Sequence, residues 1–394
     1  MIAKRWNFPI ITAFLLSVAT ILTLRHTFAH VPSRQVCANN NIPLQETLNS
    51  QSPMAAVPVG IGLDLTAFYG TVAITNTDGS AINIARVEAR SQYRKAIQRL
   101  SSVSSIHLCP PYNAFDEYYR DIPRRTLRAL RKAAGLPASR DVAALSAMIQ
   151  DLRCKAEAIL GTEISSIPIL AVTPSLVALC EEDLVDAFEY AGLQQVRLKN
   201  YSPGSYVHET SAAYAGYGLG LCSDPQNPAV CQKEEADMQM ENILSLLFTR
   251  SALRIIYTPV RSAYFFSSLS LRFYAHWDLG LDARDEEGYW KRVREAIEQG
   301  PRDYPGFPMP DKVLLMGESA RDERFRSVLE EIISGWGASP QVFGDDTEFV
   351  AAKGAAELAR RSVYKVDGTS VASEAAELKD TELKDTELKD TELK

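Results

Sequence analysis

The chain has 394 residues, 46% hydrophobic and 23% charged, enough for two or three domain-sized units or one large two-lobed fold with an ample core. Its net charge is −7, and the stretch from Glu374 onward supplies four of those negative charges, with eight acidic residues against four lysines. So balanced a body gives nucleic acid no electrostatic footprint.

Residues 1–30 stand apart. Lys4 and Arg5 precede an apolar run, Phe8–Leu24, which Arg25 and His26 close. Seventeen residues is the lower limit for crossing a bilayer and slightly long for a signal-peptide core. Thr27-Phe28-Ala29 is a weak cleavage site, so the segment reads as a signal anchor or a signal peptide, with the anchor preferred. Either way the positive-inside rule puts the remainder in the secretory lumen or outside the cell. Residues 31–56 are polar, rich in Asn, Gln, Ser and Pro, and read as a linker.

The stretch Val57–Asn76 predicts a hairpin of two short apolar strands, Val59–Leu65 and Gly70–Thr75, with Asp64 at the rim of the turn. Such a turn can hold a metal-bound polyphosphate, the carboxylate ordering Mg²⁺ through its waters and turn N–H groups cradling oxygens. It can equally be a core hairpin whose Asp64 only starts a turn. Ile84–Leu100 and Arg124–Ala134 have helical patterns, with an irregular connection through Cys109-Pro110-Pro111 and the aromatic stretch Tyr112–Tyr119. Asp141 reads as the N-cap of a helix to Leu160, stopped by Gly161. An apolar strand, Ile167–Val172, precedes a helix from Ser175 to Ala191, a strand Gln195–Lys199, and a small-residue helix opened by Glu209. Strands alternating with helices after a hairpin indicate an α/β fold.

Of the six cysteines, Cys222 and Cys231 bracket a short polar loop and are the expected disulfide, worth roughly 2–3 kcal/mol in the chain-entropy model. Cys154 and Cys180 lie in helical patterns and read more readily as buried thiols; the pairing of Cys37, Cys109, Cys154 and Cys180 stays open. Asn200-Tyr201-Ser202 is a glycosylation sequon, usable in a lumenal chain.

Three segments in order, KAEAILGTEISSIPILAVTPSL (Lys155–Leu176), EYAGLQQVRLKN (Glu189–Asn200) and HETSAAYAGYGLG (His208–Gly220), resemble the ATPase domain of DnaK-type heat-shock chaperones. That family carries A-E-x-x-L-G, a strand reaching V-P, A-G-L, and N-E-P-T-A-A-A-x-A-Y-G-L. The opening hairpin resembles its first phosphate loop, G-I-D-L-G-T-T-Y-S. Trp277–Trp290 resembles its H-L-G-G-E-D-F-D stretch, Asp311–Ile332 its adenosine-side V-x-L-V-G-G-S-[ST]-R-I-P segment, and Asp345–Arg361 its closing D-E-A-V-A-x-G-A-A helix. The resemblance implies a two-lobed actin-like (ribonuclease-H-like) ATPase fold with lobes over 57–220 and 221–365, and no substrate-binding domain after them.

It also implies an ATP site between the lobes, and the departures fall there. Asp64 is kept, as the metal ligand through water, but Thr66, Ala67 and Phe68 stand where the pattern has Gly-Thr-Thr. The second loop, D-L-G-G-G-T in the family, maps to Ile243–Leu253, which has neither Asp nor Gly. Arg250 there can offset phosphate charge or be a solvated surface residue. On the adenosine side Gly317, Ser319 and Arg321 match, whereas Glu318 replaces a glycine. Glu209 keeps the position that helps orient the metal–water cluster, though it can equally satisfy free N–H groups of a helix N-terminus. Losing one whole glycine loop removes donors that phosphoryl transfer needs.

Two other chemistries are excluded by order and spacing. Ser319 sits in a G-x-S-x turn, but all five histidines precede it, so the Ser…Asp…His order of a hydrolase elbow fails. No H-E-x-x-H or paired C-x-x-C suggests zinc. The tail, residues 366–394, repeats ELKDT with Leu378, Leu383, Leu388 and Leu393 five apart; on a helix these circle the axis without forming a seam, so a solvated acidic extension is expected. The expectation is a chaperone-like, nucleotide-impaired binding or scaffold protein of the secretory pathway with an unknown protein partner. The alternative is a Mg²⁺-dependent ATPase using Asp64 and Glu209. Cofactors are accordingly ATP or ADP with Mg²⁺, or none.

Overall fold

A computed structural model describes residues 60–198, 206–264, 272–302, 308–337 and 339–364. The apolar N-terminal segment, the linker, the Asn200 sequon and the repeat tail lie outside these residues. Among the described residues no helix is long and apolar enough to cross a membrane.

The first sheet begins with the hairpin β1 (Gly60–Leu65) and β2 (Tyr69–Thr75), antiparallel with Asp64 opposite Thr71. The chain expected to continue as a helix from Ile84 instead forms β3 (Ala81–Glu88), antiparallel to β2, and the helix α1 starts only at Ser91 and runs to Leu100. The run AINIARVE lacks a helical stripe, and an open edge of β2 offers its backbone a ladder. Helix α2 (Phe115–Ala133) begins nine residues earlier than its apolar pattern indicated, taking in the aromatic stretch and carrying Pro123 within it. Helix α3 (Arg140–Leu160) is capped by Ser139, whose hydroxyl accepts from Val142 N at 3.0 Å, two residues ahead of the expected Asp141. Strand β4 (Ile169–Val172) then pairs parallel with β1, Asp64 beside Val172.

Helix α4 (Glu181–Tyr190) starts later than expected, with Cys180 as its N-cap. Of the expected strand at Gln195, the described part is a single parallel bridge to Ile169. Helices α5 (Glu209–Gly216) and α6 (Pro228–Asp237) lead to the second sheet. There β5 (Glu241–Phe248) and β6 (Leu253–Val260) form a second hairpin, β7 (Arg272–His276) pairs antiparallel with β6, and β8 (Lys312–Met316) pairs parallel with β5. Helix α7 (Tyr289–Arg302) lies between β7 and β8; α8 (Glu323–Gly335) leads to β9 (Gln341–Phe343), parallel to β8, and α9 (Val350–Ser362) closes the described chain. The sheet orders are β3-β2-β1-β4 and β7-β6-β5-β8-β9. Each half thus follows one path: hairpin, third antiparallel strand outside it, then a return parallel to the first strand.

Alternation along the strands places the cores. Ile61, Leu63 and Leu65 face an outer core with α1, α3 and α4, while Gly60, Gly62 and Asp64 face inward. In the second hairpin Leu244, Leu246, Phe248, Leu253, Ile255 and Tyr257 face an outer core with α7 and α8. Between the sheets, α5 and α9 share a central core with Leu170, Val172, Ile243, Leu247 and Leu314. The contact there is backbone to backbone: a Cβ on Gly354 of α9 would lie 1.7 Å from the Ala212 carbonyl oxygen of α5, and one on Gly62 of β1 would lie 1.9 Å from that of Ala352.

The sulfurs of Cys222 and Cys231 are bonded across the loop and first turn leading into α6. Cys180 is not a free thiol: it is bonded to Cys109, tying the segment before α2 to the cap of α4. Cys154, also expected as a thiol, is in a disulfide as well.

Candidate functional site

Parallel strands β1 and β4 in one half, and β5 and β8 in the other, all end at the seam between the halves, where ligands collect in open α/β sheets. The two hairpin turns meet this seam and are built alike. In the first, Thr66 Oγ1 donates to the Tyr69 carbonyl (2.7 Å) and accepts from Tyr69 N (3.1 Å) and Phe68 N (3.3 Å). In the second, Thr249 Oγ1 donates to the Ala252 carbonyl and accepts from Ala252 N, both at 3.1 Å. Arg250 N donates to Glu318 Oε1 at 2.9 Å. The N–H groups of Phe68, Tyr69, Thr249, Arg250 and Ala252 are therefore engaged within the chain.

Behind the turns lies a buried ionic centre. Asp64 continues the inward face of β1, and Glu209 opens α5, its N–H donating to the Thr173 carbonyl at the end of β4. From the other half comes Arg254, the residue of β6 that alternation turns inward, 2% exposed. Its guanidinium lies 3.5 Å from Glu209 Oε1, donates through Nη2 to the Ser175 carbonyl (3.0 Å) and sits 4.7 Å from the centre of the Phe273 ring. Arg254 crosses from one sheet to the other half.

Burial and then the Glu209 charge push the Asp64 carboxyl well above the usual carboxylate range, against the pull of Arg254. Burial also raises Glu209, while Arg254 holds it down. Burial lowers Arg254 from its ordinary value, and Glu209, Tyr206 and Asp64 support its charge. A guanidinium keeps its proton in proteins, so one cation faces two acids: Glu209 is its ion-pair partner, and burial biases the Asp64 carboxyl towards its protonated form. His208, next to Glu209, is depressed to about 3, first by burial and then by Arg254; its Nδ1 lies 3.1 Å from Ser175 Oγ. The Tyr206 ring lies tilted at 46° against His208 with ring centres 4.7 Å apart, and burial lifts its phenol to about 12. Tyr93 closes the first-half side, its hydroxyl donating to the Thr66 carbonyl at 2.9 Å.

The mouth of the seam is bridged as well. Phe68 meets Trp277 of the second half edge to face, centroids 5.8 Å apart. Arg86 of β3 pairs with Glu348 at 2.6 Å and lies over the Tyr69 ring at 4.2 Å, and Asn83 donates to Asp346 at 3.0 Å.

Of the residues singled out in the sequence, Asp64, Thr66, Ala67 and Glu209 are buried at the seam, and Phe68 lies at its rim. Arg250 is exposed and paired with Asp282 at 2.9 Å. Gly317 is a left-handed residue (φ 90°) packed on the Phe248 backbone, Ser319 is buried beside it, and Arg321 is exposed, 3.6 Å from Asp346. Sequence reasoning missed Arg254, His208 and Tyr206. Arg254 had a signal: it is the lone charge in LRIIY, on a strand too apolar to be half-exposed.

A magnesium–nucleotide group fits these residues in one respect only. Asp64 Oδ1 and both Glu209 oxygens are buried without hydrogen bonds, as cation ligands would be. Against this, five of the turn N–H groups are satisfied internally, a guanidinium already supplies the positive charge, and the Glu318 carboxylate lies against the second hairpin turn. The set does not suit a magnesium-bound triphosphate, and no step through one is derived. Two other groups of potential metal ligands, His107–Cys180–Asp183 and Cys222–Cys231–Glu235, rest on cysteines that are disulfide-bonded.

No family model and no curated protein matches the sequence. Among solved structures, the ethanolamine utilization protein EutJ from Carboxydothermus hydrogenoformans matches at 12% identity and a TM-score of 0.40, over 79% of this chain and 93% of that one. At that score the likeness carries no argument, and the fold is decided by the shared strand path of the two halves with α5 and α9 between them. The fold is mixed α/β, two sheets of the same strand order with α5 and α9 packed between them. In an actin-like fold the seam described here is the interlobe cleft, and Arg254 fills its floor.

Proposed function

We propose that this chain is a nucleotide-impaired, chaperone-like actin-fold domain that serves as a binding or scaffold protein in the secretory pathway, with a protein partner. The observation that carries this reading is Arg254, delivered from the second half to Glu209 and Ser175 of the first. An internal guanidinium performs the charge compensation that a metal–nucleotide complex would otherwise bring, and it holds the halves together without one. The disulfide-bonded cysteines support an oxidising compartment.

The test is a thermal-shift titration of the folded chain with Mg·ATP and Mg·ADP. Ligand binding only to the native state stabilises by about 2.7 kcal/mol at a hundredfold excess over Kd, which for a chain of this size moves Tm by several degrees. No shift at millimolar nucleotide is expected. A magnesium-dependent shift would favour the alternative, an ATPase, whose support is the pair of buried carboxylates lacking hydrogen bonds.

A further inference from the structure

The Cys109–Cys180 bond joins the segment ahead of α2 to the cap of α4, and two further metal-ligating side chains lie against it. One ligand atom from each of His107, Cys180 and Asp183 falls within 4.8 Å of the others. The sequence hides the set, since its halves, His107-x-Cys109 and Cys180-x-x-Asp183, are joined by cysteines 71 residues apart. His107 is oriented as a ligand. Its Nδ1 lies 3.3 Å from the Ser105 carbonyl oxygen, which can only accept, so in the neutral ring Nδ1 carries the proton and Nε2 presents a lone pair. That lone pair meets Cys180 Sγ at 3.6 Å, and a disulfide sulfur has no proton to give it. Bond lengths of about 2.3 Å to sulfur and about 2.0 Å to nitrogen place the two atoms about 3.5 Å apart around tetrahedral zinc, so this spacing is that of two ligands of one ion. Asp183 Oδ1 accepts from Arg128 of α2 (2.6 Å) and Oδ2 from Cys180 N (3.2 Å), which orients the carboxylate and leaves Oδ2 a lone pair. Arg124 of α2 pairs in the same way with neighbouring Glu182. The other cysteine group, Cys222–Cys231–Glu235, is less suited: Arg361 donates to Cys222 Sγ at 3.4 Å, so a cation already stands at that corner.

We propose that reduction of the Cys109–Cys180 bond creates a zinc site, with Cys109, Cys180 and His107 as ligands and Asp183 as the fourth. Cys109 is half-buried beside exposed His107, whereas Cys180 is 5% exposed, so a dithiol reductant attacks at Cys109. One thiolate of the reductant forms a mixed disulfide with Cys109 Sγ, and Cys180 leaves as a thiolate at the N-terminus of α4. The second sulfur of the reductant then displaces Cys109, giving a cyclic disulfide, and the two protons of the dithiol pass to the cysteine sulfurs. Zn²⁺ binds both sulfurs as thiolates and releases those two protons to water. The ion then joins the same two segments that the disulfide joined, so the chain ahead of α2 stays fastened to α4 in either redox state. The inference is independent of whether nucleotide binds.

The experiment uses the full chain carrying Cys222→Ser and Cys231→Ser, reduced without oxygen by dithiothreitol, freed of reductant, and titrated with Co²⁺ and then Zn²⁺. The expected result is thiolate-to-cobalt charge transfer in the near ultraviolet with the intense visible bands of tetrahedral cobalt, saturating at one ion per chain and bleached by Zn²⁺. The same chain left unreduced should show neither. His107→Ala, at an exposed position, should weaken Co²⁺ binding at least tenfold while circular dichroism stays that of the parent, and Asp183→Asn should shift the visible bands. Cys109→Ser with Cys180→Ser should abolish the spectrum. A reduced, folded chain without these bands overturns the proposal. So do bands that survive the two serines, which would put the metal on other thiols, or a Co²⁺ affinity that His107→Ala leaves unchanged. A chain that loses its native circular dichroism on reduction and does not regain it with Zn²⁺ overturns it as well.

Discussion

At the scale of the residue, Arg254 is the side chain on which the others at the seam depend. Truncating it leaves Glu209 as a buried charge without its partner, so Arg254→Ala is expected to cost about 3–5 kcal/mol in urea unfolding. Arg254→Met combined with Glu209→Gln removes both charges and should restore most of that loss. Asp64 gives a second prediction. Its raised carboxyl keeps a proton in the folded chain that the unfolded chain releases near 3.8. Its contribution is therefore complete below that pH and lost as pH rises towards the folded value, by about 1.4 kcal/mol per unit. Asp64→Asn, which never ionises, should raise Tm relative to the parent by an amount that grows as pH rises above about 4. A pH-independent difference would contradict the protonated assignment. His208 runs the other way. Held neutral down to about 3, it stabilises above its ordinary 6.5 and costs stability as pH falls between those values. His208→Gln should flatten the acid limb of a Tm–pH curve.

At the scale of the element, the closest packing is where α5 and α9 cross, and where α9 crosses β1, with helix backbones against residues that have no side chain. Gly354→Val should abolish soluble folded protein or lower stability by several kcal/mol, as overpacking at backbone contacts does; circular dichroism and yield of folded chain read this directly. These elements were legible in the sequence because their patterns are strong: TSAAYAG and AAKGAA admit close approach, and the glycines of GIGLDL alternate with core residues. The hairpin turns were legible as candidates but not as latched turns, since whether a threonine hydroxyl turns back on its own turn depends on three-dimensional direction. The helix α2 was read too short because its ion pairs to α4 come from residues 50 or more positions away, and no local pattern reports them. Arg254 was missed for a related reason. A charge within an apolar strand gains meaning only when the acids it faces, Asp64 of β1 and Glu209 of α5, are brought from the other half.

At the scale of the whole molecule, the two halves are joined by more than the crossing helices. Arg254 at the floor, Phe68 against Trp277, and Arg86 with Glu348 span the cleft from bottom to rim. Hydrogen exchange checks this: in the parent chain the amides of Thr66–Tyr69 and Thr249–Ala252 should be protected whether or not Mg·ATP is present. Phe68→Ala with Arg254→Ala should deprotect both turns together. Protection that appeared only with nucleotide would mean the cleft opens and closes around a ligand.

The paired threonine latches have a consequence for any attempt at reversal. Thr66 and Thr249 occupy equivalent corners of two repeats, and each silences its own loop independently of the other. Mending one corner would leave the second still sealed, with Arg254 and Glu318 in place between them. A gain-of-function screen for nucleotide grip would therefore see nothing from single substitutions and would have to search simultaneous changes in both repeats.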